Sequence, residues 1–266
     1  MSQEEIIQAD LKILRALDYD PSTSLDEDLN FAYSIYQYNQ MAGEFDYLPH
    51  FVDCNAVSID AGANVGHYSI KLAVLSKAVL SIEPVQDLNW LSHALPSNCT
   101  FVNCAAGSQE EQSTLRIPIL AGQRQYGMAT LTDIKIFGVL EYVHQKTQIR
   151  TIDHLVQTHF PNQQIGFIKI DVEGFEREVI LGAKETLKTH KPNLQLEITP
   201  EDLQETTDFL ADLGYRGFFF FNDILHDISV FDASIHCTVG NEWGEDAIED
   251  FNPKLNVNNF FFIPRH

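Results

Sequence analysis

Four carboxylates in this chain each close a short apolar run: Asp60 in VSIDAG, Glu83 in AVLSIEP, Asp171 in IGFIKID and Glu197 in LQLEIT, with Glu173 two residues beyond Asp171. If these runs are strands, KIDVEG puts Lys169 and Asp171 on one face and Ile170 on the other, because strand side chains alternate. A carboxylate at a strand end can orient a hydroxyl group or accept its proton. It can equally cap a helix or pair with a surface cation. Asp171, Glu173 and Glu197 are the catalytic candidates, with Asp171 the better contact candidate. The same three could hold Mg²⁺ or Ca²⁺, but no contiguous metal-loop pattern accompanies them, and no metal is expected.

The turn that follows Asp60 carries the second signal. In SIDAGANVGHYS, Gly62 and Gly66 bracket Asn64. Glycines permit close backbone approach and unusual dihedrals, and the next helix can present free N–H groups to a polar ligand. The G-x-x-x-G spacing does not meet the dinucleotide fingerprint G-x-G-x-x-G. Glu83 lies seventeen residues after Gly66 and directly before Pro84. A carboxylate at the end of a second strand is placed to accept hydrogen bonds from vicinal ribose hydroxyls. Asp60, the glycine turn and Glu83 together indicate a nucleoside-type cofactor. His67 opens the helix after the turn, where satisfying backbone groups is the simpler role. His144, His154 and His159 could each serve as a base, and nothing in the sequence prefers one.

These residues need a sheet edge to bring them together. From residue 57 the pattern alternates short apolar runs with helix-like ones: VSIDAG, HYSIKLAVLSK, AVLSIEP, DLNWLSHAL, TFVNCAA, then IGFIKID, a helix from about Phe175 to Thr189, PNLQLEI, EDLQETTDFLADLG and YRGFFFF. Such a succession is satisfied by a doubly wound α/β domain with helices on both faces of the sheet. Residues 4–17 and the aromatic run through Phe31, Tyr33, Ile35, Tyr36 and Tyr38 are expected to form an N-terminal helical cap over 1–50, part of the same domain as 51–266. Leu115 to Arg150 departs from the alternation and is the expected specificity region, with Arg124, Tyr126 and Thr130 available to a polar substrate. Phe218, Phe219, Phe220, Phe260, Phe261 and Phe262 are core candidates. The acidic stretch with Glu242, Glu245, Asp246, Glu249 and Asp250 reads as a solvated excursion.

Composition narrows the classes. At 266 residues and 44% hydrophobic content, the chain can bury a sizeable core without disulfide staples. Cys54, Cys99, Cys104 and Cys237 form no C-x-x-C pair, as suits scattered thiols in a reducing compartment. The 38 acidic and 17 basic residues give a formal charge of -21, which repels phosphate backbones and anionic membranes, so neither nucleic acid nor membrane is an expected partner. There is no apolar run of about 18 residues, and MSQEEIIQAD lacks a basic leader, so a cytoplasmic location is expected.

The pieces IDAGANVGHYS, LSIEP, KIDVEGFEREVILGA, the strand ending in LEI, and NNFFFIP resemble the class I S-adenosylmethionine-dependent methyltransferases, particularly the FkbM family, over about residues 57 to 263. DVEG is the most family-specific element. The resemblance implies a doubly wound, seven-stranded mixed sheet with an antiparallel final strand. It implies that Asp60, Gly62, Asn64 and Gly66 surround the methionine end of S-adenosylmethionine, that Glu83 meets its ribose, that Asn103 and Ala105 lie on the adenine side, and that Asp171 stands close to the methyl donor. The implied reaction is methyl transfer to a hydroxyl oxygen of a small metabolite, a sugar or a secondary-metabolite scaffold. An NAD-dependent oxidoreductase and a nonenzymatic nucleoside-binding regulator stay open as alternatives at this point. The N-terminal helices could instead serve a homodimer.

Overall fold

The computed structural model describes Phe45, residues 47–133, Ile136, residues 138–237 and residues 257–265. Most of the expected N-terminal cap and the acidic stretch therefore lie outside the described residues. The strands are β1 Val57–Ala61, β2 Ala78–Ile82, β3 Cys99–Val102, β4 Ala105–Ala106, β5 Glu111–Leu120, β6 Gln123–Arg124, β7 Glu141–Arg150, β8 Ile165–Ile170, β9 Asn193–Glu197, β10 Tyr215–Phe221, β11 Ile224–Asp227 and β12 Asn259–Pro264. The helices are α1 His67–Leu75, α2 Leu91–Ala94, α3 Ile152–His159, α4 Glu176–Leu181, α5 Lys184–His190, α6 Pro200–Asp212 and α7 Ala233–His236.

The single seven-stranded sheet is corrected by the topology. Among the described residues there are two sheets, one of eight strands in the order β11-β10-β12-β9-β8-β1-β2-β3 and one of four in the order β4-β7-β5-β6. The extra strand of the large sheet arises at Asn222 and Asp223, whose φ values of 52° and 62° make a two-residue turn that returns β11 antiparallel on β10. The second sheet exists because the chain leaves β3 at Asn103 and pairs Ala105 and Ala106 with β7 instead. Two ten-residue strands, β5 and β7, then pair antiparallel from Glu111–Ile149 to Ile119–Glu141. Pro118, a residue that argues against a central strand, obscures this hairpin in the sequence. The helix expected from Phe175 to Thr189 is also two helices. They break at Gly182, where an added Cβ would lie 1.9 Å from the Gly107 carbonyl oxygen, so the chain of the second sheet runs against this joint.

In the large sheet β3, β2, β1, β8 and β9 are parallel, and β12 lies antiparallel to both β9 and β10. Every residue of β1 is buried, as a strand covered on both faces must be. One face is apolar: Val57, Ile59, Ala61, Ile168 and Ile170 pack with Leu155 of α3, Val179 and Ile180 of α4, Leu187 of α5 and Leu210 of α6. The other face meets α1 through Leu72, Ala73 and Tyr68, with Phe45, Leu48, Phe51, Phe167 and Phe261 beside them. Each of the buried Val, Leu, Ile and Phe side chains among them contributes roughly 1.5–3 kcal/mol by leaving water.

This second face is also where polar groups enter the core. Asp60 accepts from Ser69 of α1 at 2.6 Å, Ser81 donates to the same Ser69 at 2.7 Å, and Gln195 donates to Tyr68 at 2.8 Å. Buried polar groups are tolerable when partnered in this way. They fix the register of α1 on the sheet and thereby the position of the turn that precedes it.

Candidate active site

Two turns at the carboxyl edge of the parallel strands build the site. The first follows β1, where Gly62, Asn64 and Gly66 have φ values of 83°, 47° and 89°. Gly62 requires glycine twice over: its φ is left-handed, and a Cβ there would stand 1.8 Å from the Asp171 carbonyl oxygen. The second turn follows β8 and is held against the first by a bond from the Asp171 N–H to the Ala61 carbonyl at 3.1 Å. In it Glu173 and Gly174 have φ values of 53° and 89°. Glu176 accepts from the N–H groups of Val172 at 3.2 Å and Gly174 at 3.0 Å, and the Thr130 hydroxyl donates to the Glu173 carbonyl at 2.7 Å.

Glu83 ties the first turn to the end of β2. Its carboxylate accepts from the N–H groups of Asn64 at 2.8 Å and Val85 at 2.9 Å. Burial raises its pKa to about 7 despite those bonds. The Asn103 side-chain amide donates to the Glu83 carbonyl at 2.8 Å and so braces the same segment.

Between the turns lies a cleft with about 560 Å³ of empty space, part of it open to solvent. Gly62, Asn64, Glu83, Ala105, Asp171 and Glu173 line it. Leu115 of β5, with Tyr126, Ala129 and Leu131 from the segment between β6 and β7, supplies the opposite wall. Tyr126 is fixed by donating to Asp87 at 2.9 Å, and Arg124 pairs with the same carboxylate. Gly127 packs close to the Asn64 side chain. The cleft is thus polar at the turns and apolar beside Ala105, which suits a ligand with a hydroxylated middle and a flat apolar end.

A second, more open hollow shares Asp171 and Glu173 with the cleft and adds Glu176, Glu197, Glu201 and Asn258. Glu197 accepts from the Asn258 amide at 2.8 Å. Crowding by surrounding protein, then the Asp171 and Glu176 charges, push Glu173 up to about 8, although its side chain reaches solvent. Asp171 is paired with Lys169 at 3.1 Å.

The structure therefore gathers Asp171, Glu173 and Glu197 around one hollow, and Gly62, Asn64, Glu83, Ala105 and Asp171 around one cleft. Asp60, Gly66 and Asn103 stand behind the lining. Asp60 is fully buried under the turn, Gly66 begins α1, and Asn103 holds Glu83 from outside. Thr130 is a support for the second turn. Burial, then the Lys169 charge, lower the His67 pKa to about 4, so this ring is uncharged at neutral pH. His144, His154 and His159 are exposed and line neither hollow. Lys169, placed beside Asp171 by the sequence but given no role, and Glu176, not singled out at all, are the further residues of the site. The period of two that puts Lys169 beside Asp171 was a signal for the first, and the glutamate two residues after Gly174 was one for the second. Among the described residues no group of three His, Cys, Asp or Glu side chains is arranged to hold a metal ion, and no helix is long and apolar enough to cross a membrane.

Comparison with known proteins adds a family. The model of the methyltransferase FkbM domain matches residues 60–216, more than half of the chain. No curated protein matches. Among solved structures, the methyltransferase FkbM from Methylobacillus flagellatus KT is similar at 16% identity and a TM-score of 0.45, over 96% of this chain and 59% of that one. An rRNA methylase from Streptococcus thermophilus is similar at 12% identity and a TM-score of 0.43, over 84% of this chain and 95% of that one. A precorrin-6y C5,15-methyltransferase from Geobacter metallireducens GS-15 is similar at 17% identity and a TM-score of 0.37, over 65% and 69%.

Proposed function

The chain belongs to the FkbM methyltransferase family; we propose that it is an S-adenosylmethionine-dependent methyltransferase whose acceptor is a hydroxyl oxygen of a small metabolite, a sugar or a secondary-metabolite scaffold. The observation that carries this reading is that Asp171 and Glu173 line both the cleft and the hollow. A donor in one and an acceptor in the other meet at a single turn that holds two carboxylates.

The residues present fit the cofactor. Gly62 leaves room at the turn, Glu83 offers a buried carboxylate toward vicinal hydroxyls, and Ala105, Leu115 and Leu131 supply an apolar wall for a base. Asp60, Gly66 and Asn103 belong to this site as the residues that hold its lining in place. When bound, S-adenosylmethionine would supply a methyl group from a positively charged sulfur, which would be left as a neutral thioether.

The chain's own work is orientation and proton handling. Asp171, paired with Lys169, places a carboxylate at the donor end of the cleft, where the positive sulfur would lie. Glu173 in its ionised form takes the hydroxyl proton; its pKa raised to about 8 makes that form a stronger base than a free carboxylate and the major form only above that pH. Glu197, fixed by Asn258, positions a second hydroxyl of the acceptor. The test is to supply the purified protein with S-adenosylmethionine labelled in its methyl group and a panel of hydroxylated and aminated small molecules. Label recovered in methyl ethers is the expected result. Label confined to methylated amines would overturn the hydroxyl assignment.

A further inference from the structure

Lys169 stands at the centre of both turns with its side chain buried. Its ammonium donates to the Gly62 carbonyl at 3.2 Å, pairs with Asp171 at 3.1 Å, lies 3.6 Å from Asp60 Oδ1, and sits 4.8 Å from the centre of the Tyr68 ring. The charge beside Asp60 Oδ1 is the Lys169 ammonium at 3.6 Å. A carboxylate buried without such a charge is strongly disfavoured. Lys169 and Asp60 face each other in the pairing of β8 with β1, which fixes the arrangement in the sheet and not in a loop.

We propose that Lys169 is a positioning residue that joins the two turns into one donor site, by holding the Gly62 carbonyl and the Asp171 carboxylate to a common ammonium. Without it the turns keep their backbone link from the Asp171 N–H to the Ala61 carbonyl, but the Gly62 carbonyl and the Asp171 carboxylate lose their common donor, and Asp60 and Asp171 lose the cation between them. The positive charge also bears on Glu83, His67 and Glu173. It divides the labour of the second turn: Asp171 is committed to Lys169, and Glu173 remains to take the proton. This inference rests on the donor reading of the cleft.

The test is a cycle of variants built on Asp60→Asn, which keeps an acceptor for Ser69 and avoids leaving a lone buried charge when Lys169 is removed. S-adenosylhomocysteine binding is measured by calorimetry for Asp60→Asn alone and with Lys169→Met, with Asp171→Asn, and with both. Adding Lys169→Met is expected to weaken binding at least tenfold with the melting temperature within about 5 °C of the Asp60→Asn protein. Asp171→Asn should then weaken binding less than threefold further, because the two residues act as one unit. Unchanged binding on losing Lys169, or losses that simply multiply, would overturn the proposal. Should the Lys169→Met proteins not fold, the wild type decides: the Lys169 ¹³Cε resonance, assigned with Lys169→Arg, should shift on adding S-adenosylhomocysteine, and an unmoved resonance overturns the idea. If the wild type binds no S-adenosylhomocysteine, it is the donor reading that fails, and this inference falls with it.

Discussion

The turns after β1 and β8 use the same backbone device and opposite electrostatics. Each bends the chain through left-handed residues at the end of a parallel strand, Gly62, Asn64 and Gly66 in one and Glu173 and Gly174 in the other. The first spends its geometry on backbone groups, with a carboxylate from the neighbouring strand, Glu83, tying it down. The second gathers carboxylates: Asp171 and Glu173 project from it, and Glu176 braces it from below. A glycine turn without side chains shapes a place for a ligand, and a turn crowded with like charges raises proton affinity. One sheet edge thus sets the turn proposed to bind the donor beside the turn proposed to take the proton.

That contrast can be broken at the point where the turns touch. Gly62→Ala forces a Cβ into the Asp171 carbonyl and a side chain into a left-handed backbone. The expected outcome is the largest of all, loss of S-adenosylhomocysteine binding and a melting temperature lower by roughly 10 °C, as a change of a few kcal/mol produces in a chain of this size; calorimetry and thermal unfolding check it. Glu173→Gln should separate chemistry from binding. Turnover at saturating substrates is expected to fall about 10²- to 10⁴-fold, the usual span for a general base, with S-adenosylhomocysteine affinity within about threefold of wild type.

Glu83→Ala should do the reverse. Affinity for S-adenosylhomocysteine is expected to fall roughly 10- to 100-fold, the worth of hydrogen bonds to a charged group, with turnover at saturating cofactor changed only a few-fold. Equal effects on affinity and turnover in both variants would mean that the two turns are not specialised. The smallest effect is on stability. Because the Glu173 pKa is raised in the folded chain to about 8 from an ordinary value of 4.5, the folded state holds its proton more tightly. Its contribution to stability is full below the ordinary value and is lost as pH rises through about 8. Glu173→Gln, which stays neutral, should therefore melt a few degrees above wild type at pH 9 and show no gain at pH 5.

Much of the first turn was legible from residue types. Asp60, Gly62, Asn64, Gly66 and Glu83 declared themselves by spacing, since each answers a local need of a strand-to-helix turn or a strand end. What they touch was not legible. Asp60 was expected beside the methionine end of the cofactor; the structure buries it against Ser69 and Lys169, a direction that depends on which neighbouring strand pairs with β1. The region from Leu115 to Arg150 was marked as a departure from the alternation. Its second sheet was not foreseen, since a ten-residue hairpin containing Pro118 is fixed by pairing with residues some thirty positions away.

The sequence by itself determined the strand-end carboxylates, the glycine turn and the DVEG segment, which are local patterns with local causes: side-chain period, left-handed backbone and helix starts. Tertiary structure decided that Glu83 would brace Asn64, that Lys169 would stand between Asp60 and Asp171, and that β5 and the segment between β6 and β7 would wall the cleft. Those arrangements come from register between strands far apart in the chain, and the energy that selects a register is the burial of whole faces, which no single stretch of residues contains.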